Sequence, residues 1–389
     1  MNAREHEAQH LLQVYGQLAI EPTSAHGVYL QCGDRKILDL YGGHAVAALG
    51  YGHPAMLGAL KTQAESMFFQ SNAVALEVRA RAADALADFA PAGLNYVFFV
   101  NSGSEANENA LRIACRLTGR SQVIALEHGF HGRTAAAGAV TWGAKKKWYG
   151  FPDTPFNVDF IPRDQTGAVA DFISGDTAAV IIELVQGLGG AYDLDVDFVQ
   201  RITRLCAENG ALLIVDEVQS GMGRCGQPFA ADIYEIRPDI LTLAKSIAGG
   251  FPCAAIIVGD EIAKSLGPGD LGSTFGGGPI ACALVETVID VIKKEGLMDN
   301  VRELSQIISG ACPVGPVESI QGKGFLLGLR CRRNAADIQK ELLAHNILVG
   351  NSADPKVLRL LPPLILERQH IETLIDSLAE ISEALPGKT

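Results

Sequence analysis

Six short, almost wholly apolar runs in the middle of the chain constrain the fold more than any other feature of the sequence. They are YVFFV (96–100), QVIAL (122–126), AAVIIELV (178–185), ALLIVDE (211–217), DILTLA (239–244) and CAAIIVG (253–259). Continuous apolar runs are typical of strands that are covered on both faces, as in a mainly parallel sheet. Helical patterns separate several of these runs, so the sequence predicts an α/β fold around a sheet of about seven strands.

Two of the intervening segments have clear helical patterns. EANENALRIACRLTG (105–119) and DVDFVQRITRLCAENG (195–210) each place their apolar residues on one face, as surface helices do. Each segment ends in a glycine, Gly119 and Gly210, and glycine is the usual residue just after a helix. We expect both helices to cover a face of the sheet.

The length of 389 residues exceeds what one hydrophobic core normally serves. After about residue 276 a long helical pattern (278–296) leads to shorter elements, which indicates a smaller α+β domain. We expect the N-terminal residues, with the hairpin-like stretch 28–40, to join this domain or to bridge to a second subunit. The predicted division is an N-terminal segment (1–50), a large domain (51–275) and a C-terminal small domain (276–389).

Composition excludes several classes of partner. The net charge is −12, and no run of Lys and Arg is long enough to follow a nucleic-acid backbone. The stretch 41–60 lacks charged residues, but glycines, histidines and Pro54 interrupt it, so we expect no membrane span. The eight cysteines form no CxxC pair, so we expect no metal site and no disulfide framework. With no apolar segment at the N-terminus, the sequence favours a cytoplasmic protein that acts on small molecules.

The segment FFVNSGSEANENA (98–110) is a candidate anion site. A strand runs through Ser102 and Ser104 directly into a helix, and Ser102 and Glu105 have the spacing of a capping box. A well-capped helix is one interpretation. The other is a phosphate cradle, because the free N–H groups and the positive end of the helix dipole attract anions.

Two charged residues end apolar strands further along the chain. Asp216 could pair with a nearby arginine such as Arg224, or it could keep a heteroaromatic ring nitrogen protonated and so make the ring an electron sink. Lys245 follows DILTLA and could reach back to solvent, or it could lose its proton in a dry pocket and form a Schiff base. A phosphate cradle, a carboxylate for a ring nitrogen and a Schiff-base lysine together predict a pyridoxal 5'-phosphate site.

The chain resembles the class III, fold-type I aminotransferases, which use pyridoxal 5'-phosphate, and within them the acetylornithine/ornithine branch. The resemblance extends from residue 38 to residue 366. It rests on NSGSEANE (101–108), GFHGRT (129–134), LLIVDEVQSGMGR (212–224), LAKSIAGGFP (243–252) and GSTFGGGPIACA (272–283). It implies a large domain with a mainly parallel seven-stranded sheet, a small domain built from both termini, and a homodimer whose subunits share each active site.

The resemblance also implies roles for residues around the cofactor. Lys245 would bind its aldehyde and then move a proton, Asp216 would pair with the pyridine nitrogen, and Gln219 would lie near the phenolic oxygen. Phe130 and Val218 would contact the two faces of the ring. The phosphate would be held by Ser102, Gly103, Ser104 and Thr274, the last of these from the partner subunit.

For the substrate, the resemblance implies Ser273 nearby, Arg133 on one carboxylate and Arg359 on a second. A bidentate guanidinium suits carboxylates better than an ammonium does. Structural roles are the alternative for the less central residues of these motifs: Phe130 as a core aromatic, His131 as a strand-turn histidine and Arg359 as an ordinary surface arginine.

The implied reaction transfers the terminal amine of N2-acetylornithine to 2-oxoglutarate, giving glutamate, in arginine or lysine biosynthesis. The alternatives are another class III transaminase, acting on succinylornithine, ornithine, 4-aminobutyrate or a carrier-linked aminoadipate semialdehyde, and a pyridoxal-dependent isomerase or racemase. The intact Lys245 and Asp216 argue against a binding protein without catalysis.

One motif departs from the family. The pattern E-P-x-Q-G-E reads ELVQGL at 183–188, with Leu188 in place of the second glutamate. In the ornithine-type enzymes that glutamate masks the second substrate arginine. Because leucine forms no ion pair, we expect Arg359 to be permanently available here.

Overall fold

The computed structural model describes residues 3–382, and its centre is a seven-stranded sheet. Across the sheet the strands are Tyr96–Val100, Ala254–Val258, Ile240–Leu243, Leu212–Asp216, Thr177–Ile182, Gln122–Leu126 and Asn157–Ile161. Ala254–Val258 runs antiparallel to both of its neighbours, and the other neighbouring pairs are parallel. The predicted α/β fold with a mainly parallel sheet is confirmed.

Burial follows position in the sheet. Every residue of the inner strands Thr177–Ile182 and Ile240–Leu243 is buried, because helices cover both faces of a parallel sheet. The edge strand Asn157–Ile161 instead alternates between exposed and partly buried residues up to its last position. The six predicted apolar runs miss this strand, since its exposed face carries Asn157 and Asp159.

Helices surround the sheet and form the outer layers. The α-helical segments are Ala3–Glu7, Gly42–Ala45, Pro54–Ser66, Glu77–Phe89, Gly103–Thr118, Ala135–Ala139, Ala144–Lys147, Val169–Phe172, Val196–Asn209, Ala230–Ile233, Asp260–Lys264, Pro279–Lys294, Leu297–Ala311, Ala335–Ala344 and Arg368–Glu380, with 3₁₀ turns at Thr166–Ala168 and Lys245–Ala248. The two helices predicted from periodicity end as expected, at Gly119 with φ 66° and at Gly210 with φ 63°, where a left-handed residue stops the helix.

Three smaller sheets lie outside the central one. The first combines Ser24–His26, Tyr29–Cys32, Arg35–Asp39 and Ile347–Leu348, so the N-terminal hairpin pairs with a late segment of the chain. The second contains Val317–Lys323, Leu326–Cys331, Val357–Leu360 and Gly350–Asn351, and the third joins Val185–Gln186 to Tyr192–Asp193.

The helix Pro279–Lys294 lies beyond the boundary predicted at residue 275, and it packs against Pro54–Ser66 and Glu77–Phe89. The division into 1–50, 51–275 and 276–389 stays a prediction. In the described part of the chain, no helix has the length and apolar character needed to cross a bilayer.

The carboxyl ends of Tyr96–Val100, Leu212–Asp216 and Ile240–Leu243 meet at one edge of the sheet, because these three strands point the same way. Ligands of open α/β sheets bind at this edge. The fold therefore brings Ser102, Asp216 and Lys245 to one place, although more than a hundred residues separate the first from the others.

Candidate active site

A cavity of about 460 Å³ opens at this edge of the sheet, a size typical of small-molecule sites. Ten of the twelve predicted site residues line it: Ser102, Gly103, Ser104, Phe130, Arg133, Asp216, Val218, Gln219, Lys245 and Arg359. Ser273 and Thr274 do not line it. The structure thus brings together side chains from widely separated parts of the sequence.

The start of helix Gly103–Thr118 forms one end of the cavity. Ser102 caps the helix, its Oγ accepting a hydrogen bond from the Glu105 N–H at 3.2 Å, while the Glu105 carboxylate accepts from the N–H of Asn101 at 2.8 Å. The first N–H groups of a helix have no partner within the helix, so those of Gly103 and Ser104 are available to an anion. A Cβ at Gly103 would lie 3.0 Å from Val218 Cγ1, so glycine allows the helix to start directly against the cavity floor.

The Asp216 carboxylate is buried and held by three donors. Its Oδ2 lies 2.8 Å from both His131 Nδ1 and Asn107 Nδ2, and its Oδ1 accepts from the Val218 N–H at 3.0 Å. Asn107 is itself fixed, because its Oδ1 accepts from Thr242 Oγ1 at 2.7 Å. These contacts fix the direction in which the carboxylate faces the cavity.

Lys245 follows the strand Ile240–Leu243 with a φ of +49°, an uncommon conformation for a residue with a side chain. Burial lowers the pKa of Lys245 below its usual value; Asp216 and Glu183 oppose this shift, and Arg359 adds to it. A lysine that loses its proton more easily is a better nucleophile.

Glu183 is a buried cavity residue that was not among the predicted site residues. Its Oε2 accepts from the Phe130 N–H at 2.8 Å and its Oε1 from the Gly187 N–H at 3.3 Å. Burial raises the pKa of Glu183 to about 7, with Asp216 adding to the shift and His131 opposing it. The carboxylate holds the backbone beside Phe130, and its place in the ELVQG motif is the sequence signal that could have identified it.

Arg359 lies buried at the other end of the cavity, so it is not the surface residue of the alternative interpretation. Its Nε donates to the Asn351 carbonyl at 2.7 Å and its Nη2 to the Tyr41 hydroxyl at 2.8 Å. Burial lowers the pKa of Arg359, although Tyr41 and Glu183 oppose the shift.

Arg133 is exposed, with its guanidinium carbon 4.6 Å from the centre of the Trp148 ring.

The alternative partner for Asp216 is wrong. Arg224 is fully buried, but its Nη1 donates to the carbonyls of Phe325 and Pro362 and to neither Asp216 nor Glu217. Burial lowers the pKa of Arg224 to about 10. Arg224 therefore connects the loop after the Asp216 strand to the C-terminal part of the chain.

Ser273 and Thr274 lie on a neighbouring loop. The Ser273 Oγ accepts from Asn101 Nδ2 at 3.2 Å and from the Gly276 N–H at 3.0 Å, while Thr274 is exposed. The role predicted for Thr274 needs a second subunit.

Residues 3–382 contain no cluster of histidine, cysteine and acidic residues suited to a metal ion.

Comparison with known proteins identifies the family. The model of the class-III aminotransferases matches residues 13–382. The acetylornithine aminotransferase of Methanopyrus kandleri is 39% identical over 99% of both chains, and that of Methanocaldococcus jannaschii is 37% identical over 96% of both.

Solved structures give the same result. The ornithine aminotransferase of Toxoplasma gondii has a TM-score of 0.90 at 28% identity, covering 97% of this chain and 94% of that one. The acetylornithine aminotransferase of Elizabethkingia anophelis has a TM-score of 0.86 at 26% identity, covering 97% of each chain. The chain belongs to the class-III aminotransferases, a family of fold-type I enzymes that use pyridoxal 5'-phosphate.

Proposed function

We propose that this enzyme transfers the terminal amino group of N2-acetylornithine to 2-oxoglutarate, giving the acetylated semialdehyde and glutamate, in arginine or lysine biosynthesis. The observation that carries the proposal is a desolvated Lys245 near a fixed Asp216, in a cavity that also contains Arg133 and Arg359. Relatives named acetylornithine aminotransferase, 35–39% identical over nearly the whole chain, support the choice of donor.

The residues of the cavity fit pyridoxal 5'-phosphate. The free N–H groups of Gly103 and Ser104 suit a phosphate at the helix start, and the fixed carboxylate of Asp216 suits a protonated ring nitrogen. Gln219 Oε1 is buried without a partner within the described residues, so it is free for a polar group of the ring. When bound, the cofactor supplies an aldehyde and an electron-withdrawing ring that stabilises negative charge on a substrate carbon.

Each residue has a task that its surroundings support. Lys245 Nζ, which burial favours in its neutral form, would hold the cofactor through its aldehyde and would be the base that takes a proton from the substrate carbon beside the nitrogen. Asp216 would favour a protonated ring nitrogen, and Phe130 and Val218, which both line the cavity, would contact the ring. Arg133 and Arg359 orient carboxylates of the substrates, so that the reacting carbon stays close to Lys245.

A steady-state screen of amine donors with 2-oxoglutarate tests the proposal. N2-acetylornithine is expected to have the highest kcat/KM when compared with succinylornithine, ornithine, 4-aminobutyrate and acetyl-lysine. A higher kcat/KM for another donor would make that donor the substrate, and the proposed type of reaction would stay the same. Racemisation or isomerisation without any need for a keto acid would contradict the proposed reaction.

Leu188 offers a separate prediction on substrate choice. It lines the same cavity as Arg359 and is 37% exposed, and its carbonyl accepts from the Ala353 N–H at 2.9 Å, which anchors its backbone. In Leu188→Glu, a carboxylate would compete with the keto acid for Arg359. The KM for 2-oxoglutarate is expected to rise by about tenfold, as charge-assisted contacts are worth about 1.5–3 kcal/mol.

Leu188→Gln is the matched control, because it has the size of glutamate without the charge. It is expected to leave the KM for 2-oxoglutarate within about threefold of the original value, since a neutral amide forms no ion pair. If Leu188→Glu changed neither this KM nor the preference among donors, a glutamate at position 188 would not compete for Arg359. The hypothesis that Leu188 keeps Arg359 available would then be wrong.

We propose a homodimer as the assembly. Four phenylalanines border an apolar groove of about 370 Å³, namely Phe68, Phe69, Phe251 and Phe275, of which Phe68 is 71% and Phe275 65% exposed. Exposed apolar clusters of this kind mark protein interfaces. The groove shares Asn101, Phe251 and Pro252 with the active-site cavity, so a second copy seated on it would lie beside that cavity.

Mixing two inactive variants tests the shared site. If Thr274 serves the active site of the partner subunit, a bulky Thr274→Tyr subunit and a Lys245→Ala subunit each lack one part of a site. Their heterodimer would contain one intact site, so a refolded equal mixture is expected to regain about a quarter of the original activity, given random two-fold pairing. Size-exclusion chromatography with light scattering measures the dimer; no regained activity from proven heterodimers would place Thr274 outside the shared site.

A cytoplasmic location is proposed as well. All eight cysteines are free thiols, which suits a reducing compartment.

A further inference from the structure

The end of the cavity near Arg359 contains a second side chain to which no role has been assigned so far, His44. It lies in the segment Gly42–Ala45, where Gly43 and His44 both have left-handed backbones, with φ of 58° and 67°. This turn places the His44 ring against Tyr41, with the ring centres 4.7 Å apart. His44 and Arg359 both line the cavity.

A directed chain of hydrogen bonds connects the two residues. Arg359 Nη2 lies 2.8 Å from the Tyr41 hydroxyl, which lies 2.7 Å from His44 Nδ1. A guanidinium only donates, so the Tyr41 oxygen accepts from Arg359. Among residues 3–382 the Tyr41 hydroxyl has no acceptor within hydrogen-bond distance other than His44 Nδ1, so the arrangement in which every group is paired has Tyr41 donating to His44 Nδ1.

This arrangement of hydrogen bonds favours one tautomer of His44. His44 is exposed as a residue, but the atoms packed around its ring partly desolvate it. This desolvation lowers the pKa of His44, and the positive charges of Arg359 and Lys245 lower it further, so the neutral ring is favoured. In a neutral imidazole one nitrogen accepts and the other donates. Because Nδ1 accepts from Tyr41, the proton lies on Nε2, and Nε2 has no hydrogen-bond partner among residues 3–382.

Arg359 leaves part of a bound carboxylate unsatisfied. A carboxylate offers about four acceptor positions, and a guanidinium fork occupies two of them. Two N–H groups of Arg359 are already used, on the Asn351 carbonyl and on the Tyr41 hydroxyl. A further donor at the same end of the cavity would complete the binding of an anionic group.

We propose that His44 Nε2–H is this donor, and that His44 is a specificity-determining residue for substrates with a carboxylate at the Arg359 end of the cavity. The substrate class is a dicarboxylic keto acid and the dicarboxylic amino acid formed from it. The proposal rests on the proposed function, because it assigns one end of the transaminase cavity to the amino acceptor.

A matched pair of variants isolates the donor. His44→Gln keeps an N–H group at about the reach of Nε2, whereas His44→Leu has a similar size and no donor. Both carry an unbranched Cβ at the same left-handed position, so both bear the same backbone strain. The probe is glutarate, a dicarboxylate with neither an amine nor a keto group, titrated calorimetrically into the cofactor-loaded protein. Thermal unfolding and cofactor absorbance check that each variant is folded and loaded.

The expected result is a Kd for glutarate that rises about tenfold in His44→Leu and stays within about threefold in His44→Gln, the range for one hydrogen bond to a charged group. Equal Kd values in the two variants would overturn the proposal, as would an original protein that binds no glutarate. The titration needs no turnover, so it separates this proposal from the proposed function, which the donor screen tests independently.

Discussion

Lys245→Ala is expected to abolish the covalent attachment of the cofactor and to lower transamination by at least about 10⁴-fold, because the variant lacks both the nucleophile and the proton carrier of the reaction. Lys245 is the lysine at the cavity whose pKa burial lowers. The absorbance of the lysine-bound cofactor measures the first effect, and borohydride reduction followed by peptide mass analysis locates the attachment. Single-turnover rates measure the second.

Lys245→Arg is the control that separates the positive charge of Lys245 from its ability to act as a nucleophile and a base. It keeps a positive charge near Asp216 and Glu183 but does not lose its proton at ordinary pH. It is expected to be as inactive as the alanine variant while binding the cofactor phosphate. If Lys245→Ala kept the yellow covalent form, another lysine would be the attachment site and the assignment of Lys245 would fail.

The inner strands were predictable because their environment is uniform. YVFFV and QVIAL coincide with Tyr96–Val100 and Gln122–Leu126, since a strand covered on both faces needs apolar residues at every position. Asn157–Ile161 escaped prediction because an edge strand follows a different rule, with one face in solvent. The apolar run 178–185 does not form a single strand. The strand of the central sheet ends at Ile182, just before Glu183, and Val185 begins a strand of the separate two-stranded sheet.

The charged members of the candidate site were predictable because each is anomalous locally, as a carboxylate or an ammonium at the end of an apolar strand. The residues that hold these charged groups in place were not predictable, since their role depends on which side chains meet in the folded chain. Asn107 and Asp216 are 109 positions apart in the sequence but 2.8 Å apart in space. Asn107 also looks like an ordinary helix residue in the sequence, because its only distinctive property is burial beside a carboxylate.

The arrangement of residues at the Arg359 end of the cavity was not predictable from the sequence for a further reason. His44 belongs to an apolar, glycine-rich stretch, and its left-handed conformation at φ 67° has no sequence signal of its own. A Cβ at Gly350 would lie 1.9 Å from the Tyr41 ring, so Tyr41 takes its position from a glycine more than three hundred residues away. Such packing is decided by the assembled chain.

Asp216→Asn is expected to lower kcat by about 10³-fold, or about 4 kcal/mol, because it removes a preorganised negative charge from the ring nitrogen. Asparagine has nearly the shape of aspartate, and its single oxygen can still accept from His131 Nδ1 and Asn107 Nδ2, although the contact with the Val218 N–H is lost. The cavity is therefore expected to stay intact and the KM values to change little. A loss confined to kcat identifies an electrostatic role in the reaction, whereas a structural role would change thermal unfolding as well.

Glu217→Gln is the matched control, because the neighbouring carboxyl is equally buried but does not line the cavity. Glu217 accepts from Ser220 Oγ at 2.5 Å and from the Ala231 N–H at 2.8 Å, and burial raises its pKa to about 7. The loss of this carboxyl is expected to lower the unfolding temperature and to leave kcat within about threefold, since a buried hydrogen-bonded group contributes to stability. If the two variants lost activity equally, burial of charge at this strand end would explain the effect, and Asp216 would have no separate role at the ring nitrogen.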